Sequence, residues 1–327
     1  MKIITDLAEI TEPFHKACVT IGNFDGVHQG HQYLFSEVQK RAYDHGGTSV
    51  AITFRPHPLL VVRPDVGIKL ISTCDQKREL IELAGIDVLI IIPFTKEFAT
   101  TKAEDFVNDV LLGKIGMKEL IVGYDYCFGK GREGTTEFLK IHGKTQGFPV
   151  TVMDPFYVDG VIASSTQVRK LVSEGNMRAV RKLQGRYYQI RGEVQLGQQR
   201  GGAELGFPTA NLHIKESDLC PKLGVYVCQV IYEGTCYGGV LNIGRNPTFE
   251  TNDETHITAE TFIFDFNEDI YGKPIKVNLL RHLRSEKKFS GPTELVAQIK
   301  QDVSKAKEVL EQASHELRLS CEEKFNT

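Results

Sequence analysis

An α/β domain followed by an all-β domain is the fold class this sequence predicts, on three observations. From about residue 15 to 183, short β-branched apolar runs alternate with segments of helical periodicity, the texture of βαβ units and a parallel sheet. Around Leu183–Arg186 that texture stops, and short alternating strands separated by Gly, Asn, Asp and Pro take over. A single helical stripe returns from Pro292. The expected architecture is a Rossmann-like parallel sheet over residues 1–184, then a small antiparallel β-barrel with a terminal helix over residues 185–327.

Taken in order, Ala17–Ile21 reads as a buried strand, followed by a helix with Tyr33, Leu34, Val38 and Ala42 at helical spacing. Ser49–Phe54 is the second strand. A helix capped by Ser72 or Thr73 follows, with Leu80, Ile81, Leu83 and Ala84 inward and Gly85 as its stop. Val88–Ile92 is continuously apolar, as parallel strands are. Thr101-Lys102-Ala103-Glu104 has the form of a capping box opening a helix through Phe106, Val107, Val110 and Leu111. Leu120–Gly123 and Val150–Met153 complete the first sheet. Tyr187–Val194, Val225–Tyr232, Tyr237–Ile243, His256–Phe266 and Lys276–Leu283 are the clearest barrel strands. The final helix carries Leu295, Ile299, Val303 and Val309 or Leu310 on one stripe.

Composition narrows the function classes. A net charge of −3 offers no basic field for a phosphate polymer or an anionic membrane surface, so neither a nucleic acid nor a membrane is expected as a partner. The seven cysteines are an odd set without a C-x-x-C pair, and Cys220, Cys228 and Cys236 suit strand positions better than a zinc site. The opening residues lack a signal-like apolar stretch, and the longest apolar run, Val88–Phe94, is too short to span a bilayer. A reducing, cytoplasmic setting is expected.

The stretch Thr20–His31 is a glycine-rich turn from strand into helix. A helix start offers unpaired N–H groups and a positive dipole end, which favour phosphate. Gly26 and Gly30 would let a ligand approach the backbone. His28 and His31 would hold a phosphate and the charge that develops when it is attacked. Other unusual loops follow strands of the same sheet, at the edge where ligands gather. Phe54–Pro58 encloses His57 between Pro56 and Pro58. Gly123–Arg132 mixes Asp125, Phe128 and other aromatics with Lys130 and Arg132, a combination suited to a flat ring with a phosphate tail. Ser164, Ser165 and Thr166 with Arg169 one turn on make a second helix-start anion site. Two such sites can hold the two ends of a triphosphate.

In the second half, Gly202 and Gly206 belong to a loop able to wrap phosphates, while Thr209 and Asn211 supply neutral oxygens suited to Mg²⁺. Glu260, among strand residues, is a candidate general base for a hydroxyl nucleophile. Arg284 and Phe289 could help enclose a ring.

This ordered set resembles the bacterial bifunctional riboflavin kinase/FAD synthetase family over nearly the whole chain. The motifs are G-x-F-D-G-V-H-x-G-H at Gly22–His31, F-x-P-H-P at Phe54–Pro58, G-x-D-x-x-F-G at Gly123–Gly129 and S-S-T-x-x-R at Ser164–Arg169. G-F-P-T-A-N at Gly206–Asn211, N-I-G-x-x-P-T-F at Asn242–Phe249 and the run Leu283–Phe289 follow. The resemblance implies a barrel that transfers the γ-phosphoryl of ATP to riboflavin, with Thr209 and Asn211 on Mg²⁺–ATP and Glu260 activating the hydroxyl. It implies a first domain that joins AMP to FMN without a covalent enzyme intermediate, releasing pyrophosphate. His28, His31, Ser164, Ser165, Thr166 and Arg169 would serve the ATP phosphates in the turn of Gly22 and Phe24. Asn23, Pro56, His57, Pro58, Asp125 and Phe128 would lie around flavin and nucleotide, and Arg284 and Phe289 around the flavin of the barrel. The chain departs from the family pattern at Ala203, Phe262 and Gln167. Two alternatives keep this fold: an FMN adenylyltransferase whose barrel only binds flavin, and a non-catalytic flavin sensor.

Overall fold

The computed structural model describes residues 1–196, 207–247 and 255–325. The chain divides into two compact units, Met1–Val168 and Arg169–Thr327.

The first unit is built on strands β1 (Lys2–Ile4), β2 (Ala17–Ile21), β3 (Ser49–Arg55), β4 (Val88–Pro93), β5 (Met117–Gly123) and β6 (Val150–Met153). They form one six-stranded sheet in the order β1-β4-β3-β2-β5-β6, and every pairing is parallel. The chain steps from β2 outward to β4, then returns to the other side of β2 for β5 and β6. The reversal lies between β2 and β5, and the crevice beyond their carboxyl ends is the place where such sheets take ligands. Both faces are apolar. Val19, Ile21, Val50, Ile52 and Ile90 pack with Phe106 and Leu111 on one side. Cys18, Ala51, Leu89 and Ile121 pack with Leu34, Phe35, Val38 and Ile81 on the other. β2 is buried at every position, which is why it reads as an unbroken apolar run.

Helices α1 (Gln29–His45), α2 (Pro58–Val62), α3 (Cys74–Leu83), α4 (Ala103–Asp105) and α5 (Thr136–Gln146) connect the strands, and a two-stranded hairpin of β7 (Tyr157–Val158) and β8 (Val161–Ile162) precedes α6 (Ser165–Glu174). Of the two expected caps for α3, Thr73 is the one used: its hydroxyl accepts from Gln76 N at 3.2 Å while Gln76 Oε1 accepts from Thr73 N at 2.8 Å. Leu83 is 75% exposed rather than inward, because it is the last residue of α3. The capping box expected at Thr101–Glu104 does not form. Lys102 is the cap residue, without a side-chain bond, and Glu133 Oε1 takes the Ala103 N–H at 2.9 Å instead. α4 then runs on as a π-helical stretch, Phe106–Lys114.

In the second unit, α7 (Met177–Gln184) leads into β9 (Tyr188–Glu193), β10 (Thr209–His213), β11 (Gly224–Tyr232), β12 (Thr235–Pro247), β13 (Thr255–Ile263) and β14 (Pro274–Arg284). These make an antiparallel sheet in the order β10-β13-β12-β11-β14-β9. The sheet curls until its edge strands meet at one bridge, where Gln195 N donates to Asn211 O at 2.9 Å. The expected closed barrel is therefore joined at a single point among the described residues. Glu233 (φ 45°) and Gly234 (φ 81°) turn β11 into β12, the doubly left-handed loop that matches strand twist. α8 (Pro292–Phe325) lays Val303, Ala306, Val309 and Leu310 on Val227, Phe264 and Leu280. No helix among the described residues is long and apolar enough to cross a membrane.

Candidate functional site

In the first unit the expected phosphate turn leaves β2 at the crevice. His28 is the cap residue of α1, with extended backbone that delivers the chain into the helix start. The His28 and His31 rings stack with centroids 3.6 Å apart, and the Phe24 ring meets His31 edge-on at 5.3 Å. Phe24 is 1% exposed, so it supports the turn from below. Phe24 (φ 47°) and Val27 (φ 35°) both lie in the left-handed region, which costs a side-chain-bearing residue on the order of 1–3 kcal/mol. Such strain persists only where the surroundings over-determine the backbone.

Three glycines make the packing possible. A Cβ at Gly22 would lie 2.7 Å from the Phe24 ring, and one at Gly26 (φ 79°) 2.7 Å from Ile71. At Gly30 a Cβ would lie 2.9 Å from the Ala163 carbonyl oxygen and 3.1 Å from His28 Nδ1. Gly30 therefore lets the segment before α6 close onto the start of α1.

Asp25, which sequence reasoning left without a role, is the anchor. Its carboxylate is buried and accepts from Ile71 N and Ser72 N at 3.1 Å and from Ser72 Oγ at 3.3 Å. Ser72 Oγ accepts in turn from Gly26 N at 3.0 Å. An acid inside a glycine turn is the available signal, since only tight pairing makes such burial tolerable. Ser164 accepts from Gln167 N at 3.2 Å and so caps α6, Ser165 Oγ donates to Asp25 O at 2.9 Å, and Thr166 is exposed. Arg169 stands one turn further along α6, half-buried.

The loop after β3 bends through a cis Arg55–Pro56 bond, and Pro58 occupies the first position of α2. His57 caps that helix, its Nδ1 accepting from Leu59 N at 3.2 Å. After β5, Asp125 is exposed beside Gly123, while Phe128 turns into the core. The Phe128 ring stacks on Tyr126 at 5.4 Å and meets Phe106 and Phe138 at 5.8 and 6.2 Å. Burial raises the Tyr126 phenol well above its ordinary value. Lys77, on α3, is the other group sequence reasoning missed: it donates to Asn23 O and Thr53 Oγ1, both at 3.1 Å. Nothing in its local sequence marks it, because both partners are remote in the chain.

At the opposite end of the sheet, Cys18, His45 and Glu119 bring ligand-type atoms within 4.8 Å of one another. Glu119 is already bonded to His45 Nε2 at 3.0 Å and Thr151 Oγ1 at 3.0 Å, with Arg41 at 3.7 Å. Burial and the neighbouring Glu119 carboxylate push the Cys18 thiol up to about 11. Arg41 is shared with Glu37, whose Oε1 accepts from its Nε at 2.7 Å, so the cluster is a bonded network of side chains.

In the second unit, β10 and β13 pair so that Asn211 opposes Glu260 and Thr209 opposes Phe262, and β12 puts Asn242 against the other side of Glu260. Thr209, Asn211 and Glu260 thus share one sheet face. Asn211 Nδ2 donates to Thr209 O at 3.2 Å, turning the amide oxygen the other way. A hydroxyl, an amide oxygen and a neighbouring carboxylate form an all-oxygen set that fits a hard divalent cation. Phe262, one departure from the family pattern, meets Phe207 edge-on at 5.2 Å. Gly202, Gly206 and Ala203 lie outside the described residues.

Arg284 grips α8: its Nε and Nη2 both donate to Asp302 Oδ2 at 2.9 Å, and its guanidinium lies 5.7 Å from the Phe289 ring centroid. An open cleft of about 550 Å³ is lined by Cys220, Lys222, Leu223, Arg245, Ser285 and Glu286. It gathers residues from the Asn242–Phe249 and Leu283–Phe289 motifs but excludes Thr209, Asn211 and Glu260. Burial holds the Cys220 thiol up at about 11, against the pull of Arg245.

Residues 10–167 match the family model described as FAD synthetase, and residues 184–310 match that of riboflavin kinase. A bifunctional riboflavin kinase/FMN adenylyltransferase from Buchnera aphidicola is 34% identical over 93% of this chain and 96% of its own. The protein of the same description from Bacillus subtilis is 33% identical over 91% and 96%. A crystal structure from Streptococcus pneumoniae, described as a macrolide-efflux protein, superposes with a TM-score of 0.83 at 31% identity, covering 93% of this chain and 98% of that one.

Proposed function

The chain belongs to the bifunctional riboflavin kinase/FMN adenylyltransferase family, and from that premise we propose how its residues divide the work. The protein phosphorylates riboflavin to FMN and adenylylates FMN to FAD, with ATP as co-substrate in both steps.

The first unit carries the adenylyl transfer. An oxygen of the FMN phosphate attacks the α-phosphorus of ATP, and the bond to pyrophosphate breaks; no proton need move. Catalysis is then positioning and charge neutralisation. His28 and His31, at the start of α1, donate to the phosphates and to the charge collecting on the leaving pyrophosphate, and Thr166 and Arg169 on α6 hold the other end of the chain of phosphates. Asn23, Pro56, His57, Pro58 and Asp125 border the flavin and nucleotide. The single observation supporting this reading most strongly is the approach of the two helix starts, with Ser165 Oγ on Asp25 O at 2.9 Å and the Ala163 carbonyl over Gly30. Two dipole ends converge on one crevice.

The second unit carries the phosphoryl transfer. Glu260 takes the proton of the riboflavin 5′-hydroxyl as its oxygen attacks the γ-phosphorus and ADP leaves. Thr209 and Asn211 would hold Mg²⁺ with ATP, and the ion would neutralise charge on the transferring phosphates. Arg284 and Phe289 border the isoalloxazine end, where Arg284 acts through its grip on Asp302.

The test is purified protein with ATP and Mg²⁺, offered riboflavin or FMN, with products resolved by chromatography. FMN and then FAD should form from riboflavin, and FAD from FMN. FAD from FMN with nothing from riboflavin would overturn the kinase assignment.

A further inference from the structure

Beneath the strained turn lies a cation that no motif includes. Lys77, on α3, sits 54 residues beyond Asn23, and its ammonium donates to Asn23 O and to Thr53 Oγ1 at 3.1 Å each. Thr53 Oγ1 donates to the same Asn23 carbonyl at 3.2 Å, closing a triangle. Thr53 is fully buried at the carboxyl end of β3, so the triangle has a rigid base. Its apex is the peptide entering Phe24, whose φ of 47° would relax if that carbonyl could rotate. Fixing the Asn23 carbonyl fixes which way the next N–H and the Phe24 ring point, and the Phe24 ring carries His31.

We propose that Lys77 is a positioning residue for adenylyl transfer, locking the Asn23–Phe24 peptide so that the histidine pair is held in register with the phosphates. The inference rests on the assignment of this turn to adenylyl transfer. Asp25 balances the charge: burial pushes the Lys77 ammonium down from its ordinary value, and the Asp25 carboxylate pulls it back. The ammonium, half-buried, reaches the turn through its two donated bonds.

Lys77→Met keeps the length of the stem and removes the donors; Lys77→Arg restores a cationic donor. Both are assayed in the full chain for FMN→FAD and riboflavin→FMN, with the melting temperature of each and His28→Ala in parallel. Lys77→Met should lower kcat for FMN→FAD on the order of tenfold to a hundredfold, the scale of a sub-ångström to ångström misplacement. KM for ATP should change less than about threefold, riboflavin phosphorylation should stay at the wild-type rate, and Lys77→Arg should recover part of the loss. An unchanged kcat in Lys77→Met beside an inactive His28→Ala would overturn the role of Lys77 and leave the site assignment standing. FAD formation surviving in both would overturn the assignment itself. If Lys77→Met instead lowers both activities with the melting temperature, or Lys77→Arg rescues nothing, Lys77 is structural and the proposal fails.

Discussion

Ser165 Oγ donates to the main-chain carbonyl of Asp25 at 2.9 Å, joining the start of α6 to the turn between β2 and α1 across 140 residues of sequence. The same Asp25 reaches in the other direction with its carboxylate, to Ile71 N and Ser72 N. One residue thereby fastens the turn to the segment that caps α3 and to the start of α6.

Replacing Asp25 by alanine keeps the carbonyl that Ser165 binds and removes the carboxylate, so the turn should come loose from the Ile71–Ser72 segment. Two buried N–H groups lose their acceptor, a cost of about 1–3 kcal/mol for each. Chemical denaturation should show the loss as destabilisation of the first unit, and FMN→FAD should fall by at least tenfold while riboflavin→FMN continues.

Gly30→Ala probes the approach of the two helix starts. The added methyl would lie 2.9 Å from a backbone oxygen that has no side-chain freedom to yield. FAD formation should fall steeply with the kinase rate unchanged, and wild-type FAD formation would show that the closeness of Ala163 to α1 is dispensable.

The pattern of what was legible follows from where the information lies. β2, β6 and the glycine turn into α1 could be read because each is specified by neighbours in sequence: an apolar run, glycines at close approaches, histidines at a helix start. β1 escaped notice because three residues carry little periodicity, and its pairing with β4 is remote. The false capping box at Thr101 failed for a related reason, since Glu133, 30 residues away, supplies the acceptor. Phe128 matched a motif, yet its ring is claimed by Phe106, Tyr126 and Phe138, a packing decision no spacing rule contains. Lys77 shows the limit most clearly: its position in the sequence is that of an ordinary helical lysine.

The second unit carries a pH-sensitive contact in His282. Its ring meets Tyr226 at 4.9 Å and its Nε2 faces Leu223 O at 3.4 Å. Burial holds its pKa below the ordinary 6.5, partly opposed by the Leu223 carbonyl. The unfolded chain then binds more protons than the folded one just below pH 6.5, so this residue's contribution is present above that pH and is lost as pH falls through the folded value. Denaturation between pH 7.5 and 5 should show His282→Gln losing less stability than the wild-type chain. A steeper loss in the variant would contradict the direction of the shift.

The division into two chemically independent sites is tested most directly by assaying His28→Ala and Glu260→Ala, each with riboflavin and with FMN. His28→Ala should accumulate FMN from riboflavin and make no FAD. Glu260→Ala should make FAD from added FMN and nothing from riboflavin. Either variant losing both reactions while folded would contradict two separate sites.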